Sequence, residues 1–183
     1  MRGKRNFVAR APRNNYTSCV GENRMIYFAY DIAMDERELR RPGVAPGAVA
    51  AGSGWLANRR LVFSGEGGRT PVAVPSYGNR VYGVLYFVSA PEEIETLKTL
   101  RSPLPRRVTR VRTLPHNRIV FAFTFEVSPG ALVPEGPADP VYRDRMIETA
   151  RRFEFPEDYI AYLASIPSPD GFAHTGRGGH EEQ

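Results

Sequence analysis

Short apolar runs broken by turn residues dominate the middle of this chain, and long amphipathic stretches are few. Residues 25–30 are continuously apolar and aromatic, which suits a strand buried on both faces. Further strand candidates follow at 48–57, 60–63, 70–75, 80–88, 107–114 and 119–127. Between them lie residues of turn chemistry, as in Ser64-Gly65-Glu66-Gly67-Gly68 and Ser76-Tyr77-Gly78-Asn79. Helical periodicity is confined to a few places. Asp35 with Glu38 three residues later forms a capping pattern, so a short helix is expected to start there and stop before Pro42-Gly43. Residues 90–100 place Ile94 and Leu97 inward and Glu92, Glu93, Glu95 and Lys98 outward, with Pro91 in the first turn. A second helix is predicted over 142–152. A third opens at Pro156 and offers Tyr159, Ile160, Tyr162 and Leu163 to a sheet.

Many short strands with a few inserted helices favour an α+β fold, a small mixed barrel with flanking helices, over a doubly wound sheet. A chain of 183 residues is long enough for one core and too short for two ordinary domains. Residues 1–24 and 167–183 lack periodicity and are rich in polar groups, Pro and Gly. They read as a disordered basic extension and a flexible tail around a single domain at 25–166.

The net charge of +5 changes little in this picture. Residues 1–24 hold six basic groups against Glu22, which leaves 19 basic and 19 acidic residues in the rest of the chain. A neutral body lacks the electrostatic footprint of a nucleic-acid-binding domain, so no nucleic-acid partner is expected. The single cysteine, Cys19, excludes an intramolecular disulfide and fits a reducing compartment. The basic start carries no apolar run of signal-peptide length, and no stretch approaches the roughly 18 apolar residues of a membrane span. A cytoplasmic protein without membrane association is therefore expected, with an organellar transit peptide as the other reading of the basic start.

Four segments resemble a known family. Tyr27-Phe28-Ala29-Tyr30-Asp31-Ile32-Ala33 is similar to the Tyr-Phe-Ala-Tyr-Gly-Ser-Asn opening strand and substrate loop of the γ-glutamylcyclotransferase-like (AIG2-like) family, with the last three residues changed. Farther on, Val81-Tyr82-Gly83-Val84-Leu85-Tyr86-Phe87 resembles its apolar strand. Leu97-Lys98-Thr99-Leu100-Arg101 falls where the family reads Leu-Asp-x-x-Glu, so Arg101 takes the place of its catalytic glutamate. Phe155-Pro156-Glu157-Asp158-Tyr159-Ile160-Ala161-Tyr162-Leu163 resembles the Leu-Pro-x-x-Tyr-x-x-x-Leu end of its members, with Phe155 in place of the first Leu. The resemblance implies a small β-barrel with flanking helices and a pocket in which loop amides bind a γ-glutamyl group. In that reaction the glutamate deprotonates the α-amine that attacks the γ-carbonyl, giving 5-oxoproline. By position, the resemblance marks Tyr27, Tyr30, Ile32, Ala33 and Tyr82 as substrate-binding.

The substitutions argue against that reaction. A loop through which backbone must approach ligand favours glycine, and Asp31 would occupy the ligand's space. Arg101 cannot act as a base, because guanidinium stays charged throughout the physiological range. Two readings of each residue stay open. Asp31 is either a loop residue bonding nearby amides or a relocated acid/base group. Arg101 is either a solvated member of the basic run from Lys98 to Arg112 or a cation that orients a carboxylate and stabilises an oxyanion. If both face the cavity, they form a pair and both line the largest pocket.

Other candidates are thin. His116 follows Pro115 in a turn and reads as a surface residue, Glu126 ends a β run and reads as solvated, and His174 and His180 lie in the tail. No Cys/His cluster suggests a metal, and Gly65-Glu66-Gly67-Gly68 lacks the setting of a phosphate loop, so no cofactor is expected. Three functions remain for a small-molecule substrate. The first is a cofactor-free cyclase, isomerase or lyase using Asp31 and Arg101, plausible in secondary metabolism. The second is a cyclotransferase with a displaced base such as Asp31 or Glu95. The third is a non-catalytic binding module.

Overall fold

A computed structural model describes residues 24–65, 69–88, 91–128 and 130–168. The readings made for residues 1–23, the Glu66-Gly67-Gly68 stretch, Cys19, His174, His180 and the tail beyond Ser168 lie outside the described residues. Five strands close into a barrel: β1 (Met25–Ala29), β2 (Val49–Ser64), β3 (Thr70–Val88), β4 (Arg106–Thr113) and β5 (Ile119–Phe125). Their order around the barrel is β1-β3-β2-β4-β5. All pairings are antiparallel except the one that closes the ring, where Tyr27 of β1 meets Phe123 of β5 in parallel. The expected small mixed barrel with flanking helices is the observed fold. The helices are α1 (Glu36–Leu39), α2 (Pro91–Leu100), α3 (Pro140–Arg152) and α4 (Glu157–Ser165), with a 3-10 turn at Ile32–Met34.

Where four strands are predicted between residues 48 and 88, the structure has two long ones. Ser76–Asn79 is no loop between separate strands but an excursion inside β3. Pro75 pairs with Arg59 and Arg80 with Ala57, so four β3 residues stand opposite Asn58 alone. Tyr77 is exposed at its tip, and the Gly78 amide donates to Asn58 Oδ1 at 3.1 Å. Asn58 has φ 56, a left-handed conformation that asparagine tolerates better than most residues. The resulting irregularity interrupts the alternation of β2. Gly54 and Leu56 are buried before it, and Leu61, Val62 and Phe63 are all buried after it, so the even-numbered alternation does not continue through Asn58.

The helix starts follow their caps. Asp35 accepts from Arg37 N at 3.1 Å, but Glu38 does not reach back as a capping box requires; it pairs with Arg145 and Arg41 instead. α3 begins two residues before the predicted 142, because Asp139 accepts from Tyr142 N at 3.0 Å and Pro140 fits the first turn. In α2, Ile94 and Leu97 face inward as expected. Glu93 does not face outward: it is buried and accepts from Gly47 N at 2.6 Å.

The core is aromatic, with Tyr27, Phe28, Phe63, Tyr86, Phe123 and Phe125 fully buried. Gly83 is needed where β3 crosses β1. A Cβ there would lie 2.6 Å from the Phe28 ring and collide with the Ala29 carbonyl. Among the described residues no helix is long and apolar enough to cross a membrane, and no three His, Cys, Asp or Glu side chains come together in a metal-binding arrangement.

Candidate functional site

β1 delivers the chain straight to the site. Its alternation puts Phe28 and Tyr30 on one face and Tyr27 on the other, and Asp31 follows as the N-cap of the 3-10 turn. Asp31 Oδ1 accepts from Ala33 N at 2.8 Å. The capping role expected for a loop aspartate is therefore present. A second contact accompanies it: Arg101, just past the end of α2, places Nη2 2.9 Å from the Asp31 carboxylate, across 70 residues of sequence. Both groups are largely out of water, with side-chain exposures of 8% for Asp31 and 20% for Arg101. Arg101 is thus no solvated member of the basic run. Lys98 is the solvated one, paired at 3.0 Å with Glu95, and that exposure removes Glu95 as a displaced base at this site.

Two tyrosines complete the surroundings. Tyr27 lies against the pair and stacks on Phe123 with centroids 5.2 Å apart. Burial first, and then the Asp31 charge, push its phenol up to about 12 despite the pull of Arg101. Tyr142 reaches over from α3, and its hydroxyl accepts from Ile32 N at 3.4 Å. Its phenol is also held far above the ordinary value, by burial and then by Asp31. The guanidinium of Arg101 is stabilised in its charged form. Burial opposes the charge, but Asp31 and the phenolic oxygens outweigh it. Arg101 Nε is buried without a hydrogen-bond partner.

The other expected substrate-binding residues divide. Ile32 and Ala33 border the pair, but their amides are already engaged by Tyr142 and Asp31. Tyr30 is buried and donates its hydroxyl to the Phe125 carbonyl, so its polar end serves β5. Tyr82 is not brought to the pair. It packs in another cluster, 4.8 Å from Tyr159 and 5.8 Å from Phe155. Neither Asp31 nor Arg101 is among the lining residues of three cavities of about 620, 460 and 310 Å³ formed by described residues; the first of these is walled by Arg60, Arg80, Tyr82 and Tyr159. His116 is exposed, as its turn position suggests. Glu126 is not solvated but buried at 4% exposure.

Sequence reasoning misses Tyr142, whose approach depends on how α3 docks; the Asp139-Pro140 cap could have flagged a helix start there but not its direction. A buried carboxylate against a guanidinium, with two phenols at its edge, can move a proton and hold a developing anion.

Comparison with solved structures gives the same fold at low identity. A structure described as a gamma-glutamyl cyclotransferase is 19% identical with a TM-score of 0.67, over 86% of this chain and 95% of that one. An uncharacterized protein from Homo sapiens is 20% identical with a TM-score of 0.70, over 87% and 95%. YkqA from Bacillus subtilis is 23% identical with a TM-score of 0.61, over 80% of this chain and 56% of that one. No protein-family model and no curated protein sequence matches the chain.

Proposed function

From a γ-glutamylcyclotransferase-like fold whose substrate loop and base position are refilled by an ion pair, we propose an enzyme of altered chemistry. It works without a cofactor on a small organic substrate that carries an anionic group. Asp31 is the proton acceptor, Arg101 the partner of the substrate anion and of charge developing in the transition state, and Tyr27 and Tyr142 the neutral hydrogen-bonding groups beside them. The reaction is a cyclisation, isomerisation or elimination. The supporting observation is the 2.9 Å contact between Asp31 and Arg101, the two residues that replace the loop glycine and the glutamate of the resembled pattern. Catalysis requires the pair to part, with the substrate anion taking the place of the Asp31 carboxylate on Arg101. The carboxylate, freed from one partner, then accepts the proton.

Release of 5-oxoproline is a poor fit for this site. The amides of Ile32 and Ala33, which the resemblance would assign to substrate, are used internally, and no carboxylate stands at position 101. The same engagement favours a second reading, a non-catalytic module whose loop is closed on itself.

Incubating the purified protein with a small-metabolite extract in deuterated water separates the two. The enzyme reading expects conversion of, or deuterium incorporation into, a low-molecular-mass anion by wild type. That rate should fall about a hundredfold in Asp31→Asn with little change in KM. Equal turnover by the two proteins would eliminate the acid/base role. Binding without turnover by either would promote the second reading.

A further inference from the structure

A second polar cleft lies where the barrel wall opens. β2 and β4 pair only at Gly54↔Thr113 and Trp55↔Arg112, after which β2 follows β3 and β4 follows β5. Between the diverging strands is a cavity of about 310 Å³, at the small end of the range for ligand sites, walled by Leu56, Asn58, Arg59, Thr109, Arg110 and Glu126 among others. Glu126, 4% exposed, lines it. One carboxylate oxygen, Oε2, lies 3.4 Å from Arg59, while Oε1 is buried with no hydrogen-bond partner. A buried carboxylate oxygen without a donor is costly and is rarely left so.

The local backbone turns a cation toward this group. The left-handed residue Asn58 interrupts β2, and Arg59, the residue after it, meets Glu126. Bulges that re-aim a side chain in this way are frequent beside binding sites. The charge of the wall is then unbalanced. Arg59 offsets Glu126, but Arg110 also lines the cleft with no ion-pair partner among the described residues, and Arg112, stacked 5.7 Å from Trp55, adds a further guanidinium. The cleft thus holds the Glu126 carboxylate in its wall beside surplus guanidinium donors.

We infer that this cleft is a binding site for a small zwitterion of the α-amino-acid type, its ammonium paired with the Glu126 carboxylate and its carboxylate received by Arg110 and Arg112. The site is separate from the Asp31–Arg101 pair and does not depend on that pair being catalytic.

Titration calorimetry on the full chain with three probes tests it: L-aspartate, succinate, which lacks the ammonium, and ethanolamine, which lacks the carboxylates. L-Aspartate should bind saturably at or below millimolar concentration, with each other probe about tenfold weaker, the loss expected for one charge-assisted hydrogen bond. Glu126→Gln should abolish the preference for L-aspartate over succinate, and Arg110→Met should weaken L-aspartate about tenfold. Because Arg110 is exposed, its variant keeps the test alive if Glu126→Gln does not fold. No saturable binding of L-aspartate to folded wild type would overturn the inference. So would succinate binding as tightly as L-aspartate, or binding abolished by Asp31→Asn while both cleft variants leave it unchanged.

Discussion

Replacing Arg101 by methionine isolates the energetics of the buried pair. The variant keeps most of the apolar stem of the side chain but leaves the Asp31 carboxylate, 8% exposed, with the Ala33 amide as its one remaining hydrogen bond. Breaking a buried pair by removing one partner costs about 3–5 kcal/mol. The 20% exposure of the Arg101 side chain admits some water, so the cost should fall at the lower end, about 3 kcal/mol. For a domain of this size that is roughly 10 °C in Tm. The double variant Asp31→Asn/Arg101→Met removes both charges and should recover most of the loss, giving a coupling of about 2 kcal/mol in a double-mutant cycle. Urea unfolding of the four proteins, with m-values compared to confirm that the unfolding transition itself is unchanged, measures it. A loss under about 1 kcal/mol in Arg101→Met, or strict additivity in the cycle, would refute the claim that the two groups compensate each other out of water.

Alkaline pH should weaken the fold. The Tyr27 phenol titrates at about 12 when folded against an ordinary 10.0, so the folded state holds its proton more tightly. Stability is therefore complete below pH 10 and is lost as pH rises toward 12, by about 1.4 kcal/mol per pH unit for this one group. Urea unfolding at successive alkaline pH values should show a shallower decline in Tyr27→Phe, and an unchanged slope would contradict the assignment. Gly83→Ala forces a methyl into the Phe28 ring and the Ala29 carbonyl, and should lower stability by about 1–3 kcal/mol in thermal melts; a neutral result would mean that β1 and β3 can separate freely there. At Asn58, with φ 56, Ala should cost about 1 kcal/mol more than Gly, because only the alanine pays for the left-handed backbone; equal melting of the two variants would argue against the bulge.

The parts legible from sequence are those fixed by local pattern. The apolar run at β1, the inward positions Ile94 and Leu97, and the Asp35 cap depend on spacing within one element, and the structure keeps each of them. Asp31 and Arg101 could be paired in advance because two separate segments resemble one family, although nothing local to either connects them across 70 residues. What is lost depends on how elements meet. Ser76–Asn79 has the composition of a turn, yet Asn58 opposite it absorbs the irregularity and β3 continues through. Glu126 ends an apolar run and carries the signature of a solvated strand end; only closure of the barrel and the turned Arg59 bury it. Tyr82 belongs to a strand resembling the family's, but the docking of α4 draws it to Tyr159. The contact between Asp31 and Arg101 likewise depends on how elements meet, here the loop after β1 against the end of α2.

The central claim, that the pair has displaced the chemistry of the resembled family, is tested most directly by measuring 5-oxoproline. Purified wild-type protein and Asp31→Asn are incubated with γ-glutamyl amino acids and with glutathione, and the cyclised product is quantified over time. Neither protein should release it above the uncatalysed background. Rapid release by wild type that is abolished in Asp31→Asn would contradict the account and assign Asp31 as the base of a working cyclotransferase.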